Sequence, residues 1–151
     1  MESPWVNIRD MKHIDLPYVL RNELAAYPHP WKEGHFRTSL NGGDDCFVIE
    51  RADQLTGHGI LSSGAGEAHV LNLCVHPDAQ GCGLGRRLLT HLLETAAQKS
   101  VNVVFLEVRA SNQSARALYE SAGFNEMGLR RNYYPDASGR EDAVLMGKEL
   151  V

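Results

Sequence analysis

With 151 residues, the chain fits one compact domain and is long enough to bury a hydrophobic core. Its hydrophobic fraction of 43% excludes a disordered chain, and its formal net charge of -4 does not support a nucleic-acid-binding function. No apolar run is long enough to span a membrane, and residues 1–5 carry no targeting pattern, so we expect a cytoplasmic protein without membrane contact.

The N-terminal third of the chain is predicted to fold as a strand followed by two helices. The strand covers residues 5–11, and the first helix begins at Asp15 as its cap, with Pro17 in its first turn. It ends before Pro28, because the residue preceding a proline is pushed out of helical conformation. A second helix covers residues 31–40, before a turn at 42–44. The first helix carries an apolar stripe at Leu16, Val19, Leu20 and Leu24.

The rest of the chain alternates strands with helices. Residues 101–108 are nearly all apolar and predict a central strand covered on both faces. Asn112 caps the following helix and Gly123 ends it. The whole pattern predicts an α/β (α+β) fold, in which helices connect the strands of a mixed sheet. Strands are predicted at 46–51, 59–63, 68–75, 101–108, 124–131 and 143–150, and helices at 84–99 and 112–122.

Three cysteines, Cys46, Cys74 and Cys82, are odd in number and show no Cys-x-x-Cys spacing. This spacing argues against a disulfide framework and against a zinc knuckle. We expect Cys46 and Cys74 to be reduced core residues on strands. His69 and His76 lie close along one strand edge, but nothing supplies a third metal ligand, so no metal site is predicted.

A glycine-rich turn separates the strand at 68–75 from the helix at 84–99. It reads Gln-Gly-Cys-Gly-Leu-Gly-Arg over residues 80–86. Glycines let the backbone approach a ligand closely, and the first amides of the helix point at that ligand without partners, which favours phosphate or pyrophosphate. A dinucleotide-binding turn fits poorly, because its third glycine would fall at Arg86 and the turn lies in mid-chain. The turn alone does not separate a phosphate site from a glycine-rich loop without a ligand.

The residues around this turn resemble a known family. The strand 72–75, the pair His76-Pro77, the pattern Gln80-x-x-Gly83-x-Gly85 and the leucine-rich helix are similar to the acetyl-coenzyme A signature of GNAT acetyltransferases. Residues 106–112 and 117–124 resemble the next segment of that superfamily. The tail at 130–135 and 139–143 resembles the RimI-type ribosomal-protein-alanine N-acetyltransferases.

This resemblance implies one GNAT domain over residues 1–151, with a mixed, largely antiparallel sheet flanked by helices. It implies acetyl-coenzyme A (acetyl-CoA) as donor and a protein N-terminal α-amine as acceptor, at an alanine of the eighteenth small-subunit ribosomal protein. Other acceptors, such as small amines or protein lysines, and a catalytically silent acyl-CoA-binding module remain the alternatives. The implied cofactor contacts are the backbone of Leu73, Cys74 and Val75 with the pantetheine arm, the turn residues Gly81, Cys82, Gly83, Leu84, Gly85 and Arg86 with the pyrophosphate, and Asn112 near the thioester.

One turn residue departs from the family pattern. The family usually carries a basic residue where this chain has Gly81. Backbone amides bind phosphate without that side chain, so we expect somewhat weaker cofactor affinity without loss of binding.

The resemblance assigns Glu107 as the general base and Tyr119 as the general acid. A carboxylate in an otherwise apolar strand is costly unless it is paired or faces a wet cleft, and partial burial would raise its pKa toward that of a useful base. The alternative is a strand-end glutamate paired with Arg109 or Arg131. Packing on its helical face explains the Tyr119 ring equally well. The backbone amide of Val75 would polarise the acetyl carbonyl.

Three aromatic residues are candidates for the acceptor groove. By resemblance, Trp31, Tyr133 and Tyr134 would line it, and simple packing is the alternative for each.

Overall fold

The computed structural model describes residues 5–137 and 139–150. The predicted single domain over 1–151 also includes residues 1–4, 138 and 151, which lie outside the described residues. Within the described ranges the chain forms seven strands and four α-helices. They are β1 (Val6–Asp10), α1 (Leu16–Ala26), α2 (Glu33–Asn41), β2 (Asp45–Arg51), β3 (Gln54–Gly64), β4 (Glu67–Val75), α3 (Leu84–Gln98), β5 (Val103–Arg109), α4 (Gln113–Ser121), β6 (Asn125–Asp136) and β7 (Gly139–Glu149).

All seven strands join one sheet in the order β1-β2-β3-β4-β5-β7-β6. Every neighbouring pair is antiparallel except β4 with β5, which is parallel. A parallel pair needs a crossover connection, and α3 provides it. The mixed, largely antiparallel sheet predicted from the sequence is therefore confirmed.

The core lies on both faces of the sheet, because side chains alternate along a strand. On β2, Cys46 and Val48 belong to the cluster beneath α1 and α2, whereas Phe47 packs with the α3 residues Leu89 and Leu92 on the opposite face. This alternation sandwiches the middle of the sheet between α1 and α2 on one side and α3 on the other. Within the described ranges, no helix combines the length and the apolar character needed to cross a membrane.

The start of α1 differs from the prediction. Asp15 precedes the helix, but its side chain does not cap it: the carboxylate accepts from the Lys12 amide at 2.8 Å and pairs with Arg9 at 2.8 Å. Leu24 was expected in the buried stripe and is 69% exposed. The polar residues Asn22 and Glu23 are buried instead.

One strand and one hairpin are longer than predicted. β3 begins at Gln54 instead of residue 59, and the β6–β7 hairpin extends through residues 132–136 and 139–142, which were left as a connection. Most β6 side chains are exposed on both faces, so this hairpin lacks the apolar alternation that reveals a half-buried strand.

We expect Asp15→Asn to lower the free energy of unfolding by about 2 kcal/mol at pH 7, because a buried carboxylate that binds Arg9 is lost. The hydrogen bond from Arg9 holds the pKa of Asp15 below its usual range. Because the pKa of Asp15 is lower in the folded state, its carboxylate stabilises the fold at pH values above the pKa that Asp15 has in the unfolded chain. This stabilisation disappears as the pH falls through the folded-state pKa.

Urea unfolding of both proteins at pH 7 and near pH 3 measures the effect. The difference between them should shrink at the lower pH. An equal difference at both pH values would contradict this account.

Candidate active site

The sheet opens between its two parallel strands. β4 and β5 pair only from Glu67–Val70 to Val103–Leu106. Beyond that point β4 continues along β3 to Val75, and β5 continues along β7 to Arg109. The β3–β4 register shifts at the same place, so that Leu71 has no partner in the ladder. A bulge of this kind bends its strand, and the two strands diverge around a wedge-shaped cleft.

The cleft edge of β4 presents backbone polar groups. The Tyr27 hydroxyl donates to the Leu73 carbonyl, and Gln80 Nε2 donates to the Val75 carbonyl at 3.0 Å. In a strand the N–H and C=O of one residue point to the same side, so the Leu73 and Val75 amides also face the cleft. Cys74 lies between them, buried and reduced, and its thiol donates to the Asn22 carbonyl at 3.6 Å. Cys46 is likewise buried and reduced, as predicted.

The glycine turn lies at the wide end of the cleft. Gly81 and Gly83 have φ of 82° and 81°, and nothing lies within 4 Å of the position where a Cβ would stand. α3 begins at Leu84 without a side-chain cap, and the first amide of the helix to bond back is that of Arg87, to the Gly83 carbonyl at 3.1 Å. The preceding amides and the positive end of the helix dipole therefore form an open cradle for an anion.

Arg86 connects this turn to the other side of the cleft. Its guanidinium donates to Ser121 Oγ on α4 at 2.6 Å. Gly85 lies in the same narrow place, where an added Cβ would be 3.5 Å from Leu118 and 3.9 Å from Val75. These contacts bring α4 close to the start of α3, so the cradle has two walls.

Glu107 lies on β5 across the cleft, with its side chain one-fifth exposed. Its carboxylate is 3.5 Å from Arg130 Nε, and the Arg130 guanidinium stacks on the Tyr133 ring at 5.4 Å. Burial raises the pKa of Tyr133, and a hydrogen bond with Glu107 raises it further. The sequence suggested Arg109 or Arg131 as the alternative partner, and this was wrong.

Arg109 has a different partner on the hairpin. It pairs with Glu141 at 3.3 Å and stacks on the Tyr134 ring at 4.6 Å. This contact ties the end of β5 to the β6–β7 hairpin, and so fixes the hairpin beside Glu107.

Three phenols converge at the cleft. Tyr119 is 8% exposed, and burial raises the pKa of its hydroxyl, with Tyr134 adding to the effect. Burial also raises the pKa of Tyr134 to about 12, with Glu107 the next cause. The pKa of Tyr27 is raised chiefly by burial, and then by Cys74 and Tyr119. All three rings therefore hold their protons at neutral pH.

The parallel pair β4–β5 separates beside the glycine turn, which brings residues 72–75 and the turn at 80–86 to one cleft. The model of the acetyltransferase (GNAT) family matches residues 14–124. The chain belongs to the GNAT family.

Relatives of this GNAT chain align along nearly its whole length. It is 41% identical over 139 residues to the "[Ribosomal protein bS18]-alanine N-acetyltransferase" of Escherichia coli K12, in an alignment that covers 92% of this chain and 94% of the relative. The enzyme of the same name from Salmonella typhimurium is 42% identical over 132 residues, covering 87% and 89%. The crystal structure of the ribosomal-protein-S18-alanine N-acetyltransferase from Escherichia coli superposes with a TM-score of 0.91 at 39% identity, covering 97% and 94%.

Two predicted contact residues of this GNAT chain are engaged elsewhere in its fold. Asn112 Oδ1 accepts from the Ala115 amide at 3.2 Å, which confirms it as the cap of α4 and leaves its contact near the thioester a prediction. The Trp31 ring packs against His35 and Phe36, at centroid distances of 5.5 and 5.1 Å. Tyr133 and Tyr134, in contrast, lie beside Glu107, with 4.9 Å between their ring centroids.

Sequence reasoning missed three features around the site. Tyr27 closes the cleft edge of β4, and Arg51 Nη1 lies 3.6 Å from Cys82 Sγ, next to the glycine turn. Glu23, His58 and Cys74 form a buried group of metal-ligand types whose ligand atoms all lie within 4.8 Å of one another. Only the third feature left a signal in the sequence, the charged Glu23 in a helix with an apolar stripe. The positions of Tyr27 and Arg51 depend on how distant strands align.

We expect Gly83→Ala to lower the free energy of unfolding by about 1 kcal/mol, because an alanine at positive φ is strained even where space is open. Chemical denaturation measures this change. The matched control is Gly34→Ala in α2, where the Cβ also meets nothing within 4 Å and the φ is helical. That variant should be neutral or up to about 1 kcal/mol more stable, and equal losses in both proteins would contradict the role of φ.

Proposed function

We propose that the chain transfers the acetyl group of acetyl-CoA to the α-amine of the N-terminal alanine of ribosomal protein bS18. The observation that carries this proposal is the identity of about two-fifths along nearly the full length of the relatives named for that reaction. The superposition on the Escherichia coli enzyme covers 97% of this chain. Because the proposed acceptor is a ribosomal protein, we place the reaction in the cytoplasm.

The cleft suits a coenzyme A chain in two ways. The pantetheine arm carries amides, which can pair with the cleft-facing backbone of Leu73 and Val75, on either side of Cys74, much as an added strand would. The pyrophosphate fits the cradle of amides from Gly81 to Arg86, the segment that includes Cys82, Gly83, Leu84 and Gly85. Arg86 adds a charge there, and Arg51 adds a second that offsets the missing basic side chain at Gly81. Acetyl-CoA supplies the activated acetyl group.

Glu107 is proposed to accept the proton that the acceptor amine must lose, directly or through a water. An α-amine has a pKa near ~8, so a carboxylate suffices when it is held close to the amine. Tyr133 binds Glu107 and Tyr134 lies beside it, so the acceptor N-terminus would enter alongside these two rings. Trp31, in the connection that precedes α2, is proposed as a further residue of the acceptor groove.

Tyr119 is proposed to give its proton to the departing thiolate. Burial keeps this phenol neutral, so the proton is present whenever the thiolate forms. Asn112 holds the N-terminus of the helix that carries Tyr119, and so fixes the ring relative to the cleft. The Val75 amide would stabilise the acetyl oxygen, and the proposed chemistry uses no metal.

A peptide assay tests this function. The purified protein is incubated with acetyl-CoA and a peptide carrying the bS18 N-terminus, while acetylated mass and free thiol are followed together. A single acetyl on the α-amine, absent when the α-amine is blocked beforehand, supports the proposal. Thiol release without acetylated peptide would contradict the acceptor, and small amines and lysine peptides would then be tested. Binding of acetyl-CoA without any reaction would favour a silent binding module.

We expect Glu107→Gln and Tyr119→Phe each to lower kcat about 100-fold or more, since a general base or acid contributes at least this much. The affinity for acetyl-CoA, measured by calorimetry, should stay within about twofold of wild type, because neither side chain is placed in the cradle.

The matched control is Glu126→Gln. Glu126 lies on the exposed strand β6, and its carboxylate is likewise near an arginine, 3.8 Å from Arg116. This variant should keep wild-type turnover. If both Glu107→Gln and Tyr119→Phe also kept it, the assignment of base and acid would be wrong.

A further inference from the structure

Glu23 is a charged side chain at a fully buried place on α1, only 2% exposed. An isolated carboxylate in such a place is costly, and it persists only when hydrogen bonds replace its water. Burial by itself raises the pKa of Glu23, but hydrogen bonds from His58, the Trp31 amide and Asn72 bring it below its usual value. The group is therefore a buried carboxylate ion held by its donors.

The three donors come from three different parts of the fold. Glu23 Oε1 accepts from His58 Nε2 on β3 and from Asn72 Nδ2 on β4, both at 3.0 Å. Glu23 Oε2 accepts from the backbone N–H of Trp31 at 2.9 Å, in the connection between α1 and α2. One carboxylate thus ties this connection to two neighbouring strands of the sheet.

The connection, residues 27–32, reaches the cleft at its other end. Tyr27 donates to the Leu73 carbonyl on the cleft edge of β4, and Tyr119 is close enough to add to the rise in the pKa of Tyr27 that burial causes. Pro28 and Pro30 restrict φ between the two anchors. The segment is therefore stiff and fastened at both ends, to the cleft by Tyr27 and to Glu23 by Trp31.

Asn72 adds a second link to the cleft. It follows Leu71, the residue without a partner in the β3–β4 ladder, and precedes Leu73. The hydrogen bond from Asn72 to Glu23 therefore holds β4 at the point where it leaves β5.

A metal ion is a poor explanation of the group formed by Glu23, His58 and Cys74. Both Glu23 oxygens already accept hydrogen bonds, and the Cys74 thiol donates to the Asn22 carbonyl. Burial raises the pKa of Cys74, which disfavours the thiolate that a metal would need. Hydrogen bonding accounts for both Glu23 oxygens, His58 Nε2 and the Cys74 thiol, whereas His58 Nδ1 is buried without a hydrogen-bond partner among the described residues.

We infer that Glu23 is a positioning residue, which holds the 27–32 segment against β4 and through it sets the binding of the acceptor. The inference rests on the proposed function, because it treats this segment as a wall of the acceptor groove. Among the described residues, Glu23 bonds to His58, Asn72 and the Trp31 amide, and to neither the turn that would bind pyrophosphate nor Glu107. Its loss should consequently affect the acceptor more than the donor.

Glu23→Gln tests the inference with minimal change of shape. A glutamine offers one accepting oxygen, so it cannot serve both the two sheet donors and the Trp31 amide. We expect the Trp31 amide to exchange with solvent about tenfold faster, and KM for the bS18 peptide to rise about tenfold, as for one lost charge-assisted hydrogen bond. kcat at saturating peptide and the affinity for acetyl-CoA should stay within about threefold of wild type.

Asp15→Asn is the matched control, since Asp15 is also a buried carboxylate at the start of α1. Its partner is Arg9. This variant should lower stability without changing Trp31 exchange or peptide KM. If Glu23→Gln does not fold, Asn72→Ala removes one donor and should raise peptide KM in the same direction by a smaller factor. A folded Glu23→Gln protein with the Trp31 exchange and peptide KM of the control overturns the inference.

Faster Trp31 exchange with unchanged peptide KM also overturns it, because the segment would then be held without influence on the acceptor. A wild-type protein that does not acetylate the peptide would instead refute the proposed function. Trp31 exchange and acetyl-CoA affinity need no acceptor, and in that case the exchange rate decides whether Glu23 holds the segment.

Discussion

The early end of the β4–β5 ladder is the constraint on which the rest of the structure depends. Within the described residues, this parallel pairing stops at Val70 and Leu106, although both strands continue. Backbone groups that would have paired across the sheet are left for other partners, and buried groups of this kind need them. The side chains of Tyr27 and Gln80 fill that need at two carbonyls. A ligand chain with amides can take the same position.

The surroundings of the cleft divide into a charged wall and a neutral wall. On β5 and the hairpin, Glu107, Arg130, Arg109 and Glu141 form ion pairs interleaved with tyrosine rings. On the side of α1 and α4, buried phenols keep their protons. In the proposed reaction, the amine that loses a proton would face the charged wall, and the thiolate that gains one would face the neutral wall.

Features that depend on neighbouring residues could be predicted from the sequence. The Asn112 cap, the left-handed Gly123 and the glycine turn all follow from local backbone preferences, and each was found where expected. A mixed sheet with helices between its strands also followed, because helix and strand periods alternate along the chain. The family signature lies in these same local segments.

Features that depend on distant pairing could not be predicted. The partner of Glu107 is Arg130 because β7 lies between β5 and β6, an order that no local pattern encodes. The buried position of Glu23 requires donors from three separate elements, which the apolar stripe of α1 does not reveal. The outer half of the β6–β7 hairpin was missed because its polar residues have no buried face.

The short parallel pairing also divides the sheet into two parts, β1 to β4 and β5 to β7. The hairpins β2–β3, β3–β4 and β6–β7 close over short stretches of chain, whereas β1–β2, β4–β5 and β5–β7 pair across at least one intervening helix. Such distant pairings form more slowly than hairpins. β4 and β5 share only the stretch from Glu67–Val103 to Val70–Leu106. The cleft therefore lies along the boundary between the two parts, where few backbone hydrogen bonds would need to break for them to move apart.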